Sequence, residues 1–93
     1  MANDEKSIYI KVYGTVQGVF FRKHTQRKAT DLGIKGWVKN ADDGTVEIAA
    51  EASPEILSAF VEWCHHGPER AVVNKVEVVE SGLKNFTSFR IVS

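Results

Sequence analysis

The sequence predicts an α+β sandwich in which two helices cover one face of an antiparallel sheet. Three observations predict it. Apolar and polar residues alternate with strand period in three segments, around Ile8–Val12, Ile34–Asn40 and Val46–Ala50. Two further segments, from Phe21 and from Pro54, carry apolar stripes at helical spacing. Their order along the chain reads β-α-β-β-α-β, with a short C-terminal strand added.

Met1–Lys6 is polar and reads as a flexible tail to a single domain over residues 1–93. Ile8, Ile10 and Val12 then alternate with Tyr9, Lys11 and Tyr13, giving a strand that Gly14 ends. Thr15–Phe20 follows as a glycine-containing loop. Phe21, Thr25, Ala29 and Leu32 share one helical face, and Gly33 supplies a C-terminal stop. Ile34, Gly36, Val38 and Asn40 share one face of a second strand. Val46, Ile48 and Ala50 form the inward face of a third, opposite Thr45, Glu47 and Glu51. Between them, Ala41-Asp42-Asp43-Gly44 is turn chemistry, so the two strands form a hairpin. Ser53-Pro54-Glu55 opens a second helix with an N-cap, a proline at the first helical position and an acid in the first turn. Leu57, Phe60, Val61 and Cys64 form its apolar stripe, and Gly67-Pro68 ends it. Val76 and Val78 mark a fourth strand, Ser81–Asn85 a connection, and Phe89 and Ile91 a fifth strand. Burying both helical stripes on one sheet face is the ferredoxin-like solution.

With 93 residues, 43% hydrophobic and 26% charged, the chain has the composition of a small soluble domain. Twelve basic residues balance twelve acidic ones. A nucleic-acid binder that works through charge would show a basic excess, so no nucleic-acid partner is expected. No apolar run reaches membrane-spanning length, and Met1–Lys6 lacks the apolar core of a signal peptide. The lone cysteine, Cys64, cannot form an internal bridge and fits a reducing compartment. The expectation is a cytoplasmic monomer.

The chemistry concentrates in Gly14-Thr15-Val16-Gln17-Gly18-Val19-Phe20-Phe21-Arg22, which joins a strand end to a helix start. The first amides of a helix lack intrahelical partners, and the helix dipole makes that end positive. A loop over it can turn several N–H groups toward one anion. Gly14 and Gly18 allow backbone conformations closed to other residues. Arg22 adds a planar fork that matches two phosphate oxygens. A cation in the first turn opposes the dipole, and a bound anion reverses that sign. The alternative is a solvated Arg22 beside an ordinary glycine turn. The Gly-Lys-Ser/Thr ending of a nucleotide-binding loop is absent. Asn40 faces apolar neighbours and needs partners. On spacing alone it either caps the turn before Ala41 or serves a site.

Gly14-x-Val16-Gln17-Gly18-Val19-x-Phe21-Arg22 resembles the acylphosphatase signature, and Gly36-Trp37-Val38-Lys39-Asn40 resembles that family's second motif. Asp43-Gly44-Thr45-Val46-Glu47 and Gly67-Pro68 fit as well, and the resemblance runs from about Ile8 to Ile91. It implies hydrolysis of the carboxyl–phosphate bond of acyl phosphates. It also implies that the backbone N–H groups of Thr15, Val16, Gln17, Gly18, Val19, Phe20 and Phe21 cradle the phosphate. Arg22 would bind its oxygens and Asn40 would orient the attacking water. The partners implied are a small acyl phosphate, with inorganic phosphate or sulfate as competing anions, and no cofactor. The family's C-terminal Phe-x-Ile-x-Tyr is departed from: this chain ends Phe89-Arg90-Ile91-Val92-Ser93.

Other residues invite rival readings. Cys64-His65-His66 and His24 suggest a metal site, but adjacent helical residues diverge and Cys64 completes an apolar stripe, so no metal is expected. Asp42 and Asp43 read as turn residues rather than a carboxylate pair. An RNA-binding module shares this topology, yet the third strand carries no aromatic for base stacking. A non-catalytic anion sensor on the same scaffold would use Arg22 and have no need of Asn40.

Overall fold

The computed structural model describes residues 4–92, so Met1–Asn3 of the expected tail and the terminal Ser93 lie outside the described residues. β1 (Lys6–Thr15) begins at Lys6, the last residue of that tail, which pairs with Ala52. Ile8, Ile10 and Val12 point to the helices and are buried. After α1 (Phe21–Asp31) come β2 (Lys35–Asn40) and β3 (Val46–Ala52), paired antiparallel with Val38 opposite Ile48 and Asn40 opposite Val46. α2 (Pro54–His66), β4 (Val72–Ser81) and β5 (Phe89–Ile91) complete the chain. The sheet order is β4-β1-β3-β2-β5.

Both helices form where the apolar stripes predict. Phe21, Thr25 and Ala29 of α1 are buried, as are Leu57, Phe60 and Cys64 of α2. At the end of α1, Gly33 N–H donates to Thr30 O and Ile34 N–H to Ala29 O. This paired pattern satisfies the last carbonyls of the helix and leads Ile34 directly into the core. Ser53 is the N-cap of α2, but its side chain makes no capping hydrogen bond; Pro54 at the first position needs no N–H partner. Phe21 and Phe60 are the largest fully buried side chains. Each contributes about 1.5–3 kcal/mol by leaving water.

Two features of the strands differ from the sequence reading. β1 does not end at Gly14. The register slips between Tyr13 and Gly14, and pairing continues with Gly14 opposite Val73 and Thr15 opposite Val72. A Cβ on Gly14 would stand 2.0 Å from Val72 O, so the glycine permits close strand approach at this bulge.

The second difference is that the sheet is mixed, because β5 pairs with β2 in parallel. The connection from β4 spans residues 82–88 and crosses from one sheet edge to the other. β5 therefore enters at the same end as β2. Glu51, near the end of β3 and only 4% exposed, holds this crossing. Its carboxylate accepts from Phe86 N–H at 3.0 Å and from Lys84 N–H. Asn85 between them is left-handed (φ 58°).

Candidate active site

The loop after β1 sends alternate side chains to different destinations. Val16 enters the core and is 1% exposed. Gln17 reaches across to the β2–β3 turn, where Nε2 donates to Ala41 O at 2.8 Å and Thr45 O at 2.9 Å. Gly18 adopts φ 76° in open space, so it serves backbone conformation rather than close approach. Phe20 is left-handed (φ 62°, ψ 24°) and turns its ring outward, whereas Phe21 is buried and opens α1. Phe21 packs on Trp63 of α2 at 5.7 Å between ring centroids, which anchors the helix start.

That helix start carries no side-chain cap and no acidic residue in its first turn. Its leading N–H groups and its positive dipole end are therefore uncompensated from within the helix. Arg22 is half-buried there, and among the described residues no carboxylate pairs with it. A cavity of about 300 Å³ opens at this point, lined by Val16, Gly18, Phe20, Phe21 and Arg22 of the loop and helix start. Lys23, Asn40 and Ile91 close it from other elements. Arg22 and Asn40, 18 positions apart in sequence, thus share one concavity.

Asn40 Oδ1 is buried without a hydrogen-bond partner among the described residues. A buried amide oxygen left bare is costly. The turn beside it draws its bonds from elsewhere. Asp43 Oδ1 accepts from Thr45 N–H at 3.1 Å and from Thr45 Oγ1 at 2.6 Å, Ala41 N–H donates to Thr45 O and Gly44 N–H to Ala41 O, and Gln17 adds its two bonds. The turn-capping reading of Asn40 therefore has no bond on the oxygen to support it. An acceptor oxygen on the cavity wall is instead available to a small polar molecule.

The sequence-derived set divides in three. Arg22, Asn40, Val16, Gly18, Phe20 and Phe21 line the cavity. Thr15 belongs to β1 and is exposed, and Val19 lines a neighbouring cavity of about 200 Å³ with His24, Pro68, Glu69, Arg70 and Phe20, which borders both cavities. Gln17 turns its side chain to the β2–β3 turn. Lys23 and Ile91 are lining residues that sequence reasoning missed. Lys23 reads as one of several exposed helix lysines. Ile91 reaches the wall only because parallel pairing sets it opposite Val38, two residues from Asn40.

The rival sites separate. Cys64 is fully buried, and burial pushes its thiol up to about 12. His24, His65 and His66 are exposed, with His66 at 3.5 Å from Glu62 one turn earlier. Asp43 serves the turn, and its second oxygen pairs with Lys11 Nζ at 3.0 Å. On the sheet face away from the helices, Glu47 lies 3.9 Å from Lys11 and 3.8 Å from Lys39, and Tyr9 meets Trp37 edge to face. The crossing segment 82–88 occupies that face at Glu51. Among the described residues no helix is long and apolar enough to cross a membrane.

Residues 8–91 match the family model described as Acylphosphatase. The chain is 52% identical over 83 residues to a curated acylphosphatase of Marinobacter nauticus, covering 88% of this chain and 90% of that protein. Among solved structures, an acylphosphatase from Bacillus subtilis superposes with a TM-score of 0.92 at 42% identity, over 95% of this chain and 99% of the other. An acylphosphatase from Coxiella burnetii gives 0.93 at 37% identity, over 96% and 94%. The chain belongs to the acylphosphatase family.

Proposed function

We propose that the chain hydrolyses acyl phosphates to a carboxylate and inorganic phosphate, at the cavity shared by Arg22 and Asn40. The observation that carries this reading is the buried Oδ1 of Asn40, without a hydrogen-bond partner among the described residues, on the wall of a cavity whose other side is an uncapped helix start with an arginine that no described carboxylate pairs. One side suits a phosphate dianion, and the other suits a single water.

The steps follow from that division. The helix-start amides and Arg22 hold the phosphoryl oxygens and stabilise charge as the transition state forms. The amide of Asn40 fixes a water beside phosphorus. The water oxygen bonds to phosphorus while the bridging P–O bond breaks, and that electron pair leaves on the carboxylate. The water's proton goes to a phosphate oxygen. A carboxylate is weakly basic, with a conjugate acid near pKa 4, so it leaves without a proton donor. This matches a cavity whose lining includes no His, Asp or Glu. Inorganic phosphate and sulfate compete for the same cradle. The free, buried Cys64 fits a reducing compartment, the cytoplasm, and the chain acts as a monomer.

The test is hydrolysis of benzoyl phosphate by the purified chain beside Arg22→Ala and Arg22→Lys, with calorimetric titration of inorganic phosphate. Wild type should turn over and bind phosphate. Arg22→Ala should lose both, and Arg22→Lys should lose most of both, because an ammonium cannot reproduce the guanidinium fork. Equal phosphate affinity in all three proteins would move the anion site elsewhere.

A further inference from the structure

Phe20 carries two costs that the fold does not return. A left-handed backbone suits glycine or asparagine and is unfavourable for a bulky residue. Here it belongs to a phenylalanine (φ 62°). The ring it directs outward is 66% exposed, more than any other large hydrophobic side chain among the described residues. It joins none of the aromatic pairs that hold Phe21, Trp63, Phe60 and Phe89 together. Its place is the rim of the Arg22–Asn40 cavity. Ile91, 40% exposed, is a second bare apolar side chain on the same lining.

Reaction geometry gives this rim a task. In-line displacement at phosphorus puts the entering water and the departing oxygen on opposite sides. Asn40 Oδ1 is buried, so a water held there attacks from the inner wall. The acyl group must then project outward, past the exposed part of the lining. On the reading proposed above, we infer that Phe20 and Ile91 form the acyl-group subsite. The preferred substrates are acyl phosphates with an aromatic or similarly broad apolar acyl group, rather than acetyl-sized ones. Phe20 gives a flat face for such a group, and Ile91 a second apolar contact. Both act on specificity, with no part in bond breaking.

The experiment compares kcat/KM for benzoyl phosphate and acetyl phosphate in wild type, Phe20→Asn and Phe20→Gly, with inhibition by inorganic phosphate measured in each. Asparagine and glycine both accept the left-handed backbone, so the loop keeps its shape. Each variant should lose about three- to tenfold more on benzoyl than on acetyl phosphate, the size expected of one aromatic contact. The inhibition constant for phosphate, which has no acyl group, should track the acetyl phosphate value. Ile91→Ser should shift the ratio in the same direction. An unchanged benzoyl-to-acetyl ratio in active variants overturns the subsite and leaves the proposed hydrolysis standing. So does a parallel loss on both substrates and phosphate, which would make Phe20 a determinant of loop shape. A wild-type protein that cleaves neither substrate overturns the hydrolysis reading itself.

Discussion

The side chain of Gln17 donates from one nitrogen to the carbonyls of Ala41 and Thr45, at 2.8 and 2.9 Å. The loop that leads to Arg22 is thereby tied to the turn that follows Asn40. On the proposed mechanism, which depends on close placement of water and phosphate, Gln17→Ala should lower kcat/KM for benzoyl phosphate about 10–100-fold. Stability should fall by about 1–2 kcal/mol. Kinetics at a temperature where urea melts show the variant fully folded separate the two effects. Wild-type kinetics there would reduce Gln17 to a structural staple.

Asn40→Ala should cost about 10²–10³ in kcat, by analogy with deletion of a positioned polar group at a transition state. Phosphate affinity should change little, because Arg22 and the helix start remain. Stability should hold or rise, because the substitution removes a buried oxygen that has no partner. Urea unfolding and phosphate titration check these together. A folded, phosphate-binding variant with wild-type turnover would exclude the water-orienting role.

Asp43 makes the fold sensitive to acid. Hydrogen bonds from Thr45 and the ion pair with Lys11 lower its carboxyl to about 2, from an ordinary 3.8. A lowered pKa means that the folded state favours the ionised form. That stability is complete above about pH 4 and is lost as the pH falls through about 2. Asp43→Asn should therefore unfold at lower urea than wild type at pH 6, and the gap should close toward pH 2. A gap of constant size across that range would show that the ionised form contributes nothing.

Glu51 should be required as a carboxylate. Both of its oxygens accept backbone N–H groups of the crossing segment, from Phe86 and Lys84. Glu51→Gln keeps the shape but turns an NH₂ group toward a donor. The expected loss is about 1–3 kcal/mol in urea unfolding. Amide exchange should quicken at Lys84 and Phe86 and leave the β1–β3 pairs protected. Unchanged exchange at those two amides would mean that something else holds the crossing.

Periodicity in the sequence determined most of the elements and their facing. Ile8, Ile10 and Val12, the Phe21–Ala29 stripe and the Leu57–Cys64 stripe are local patterns, and burial follows them because each element has one apolar side to hide. The Asp43-Gly44 turn is legible for the same reason, since its side-chain bonds from Thr45 to Asp43 span only two residues. Two short motifs singled out Arg22 and Asn40, which share one cavity, as site candidates. Tertiary structure alone decided the rest. The parallel placement of β5 depends on a crossing held by Glu51, 35 positions from Phe86. Ile91 lines the cavity only as a result of that placement. Gln17 bonds to backbone carbonyls, which every residue carries, so no side-chain pattern in the sequence marks its partners. The slip after Tyr13 that carries β1 through Gly14 exists only against Val72 and Val73 of β4. A chain's local pattern sets which side of an element is buried. Which distant backbone groups then meet depends on how the assembled sheet brings its edges and ends together.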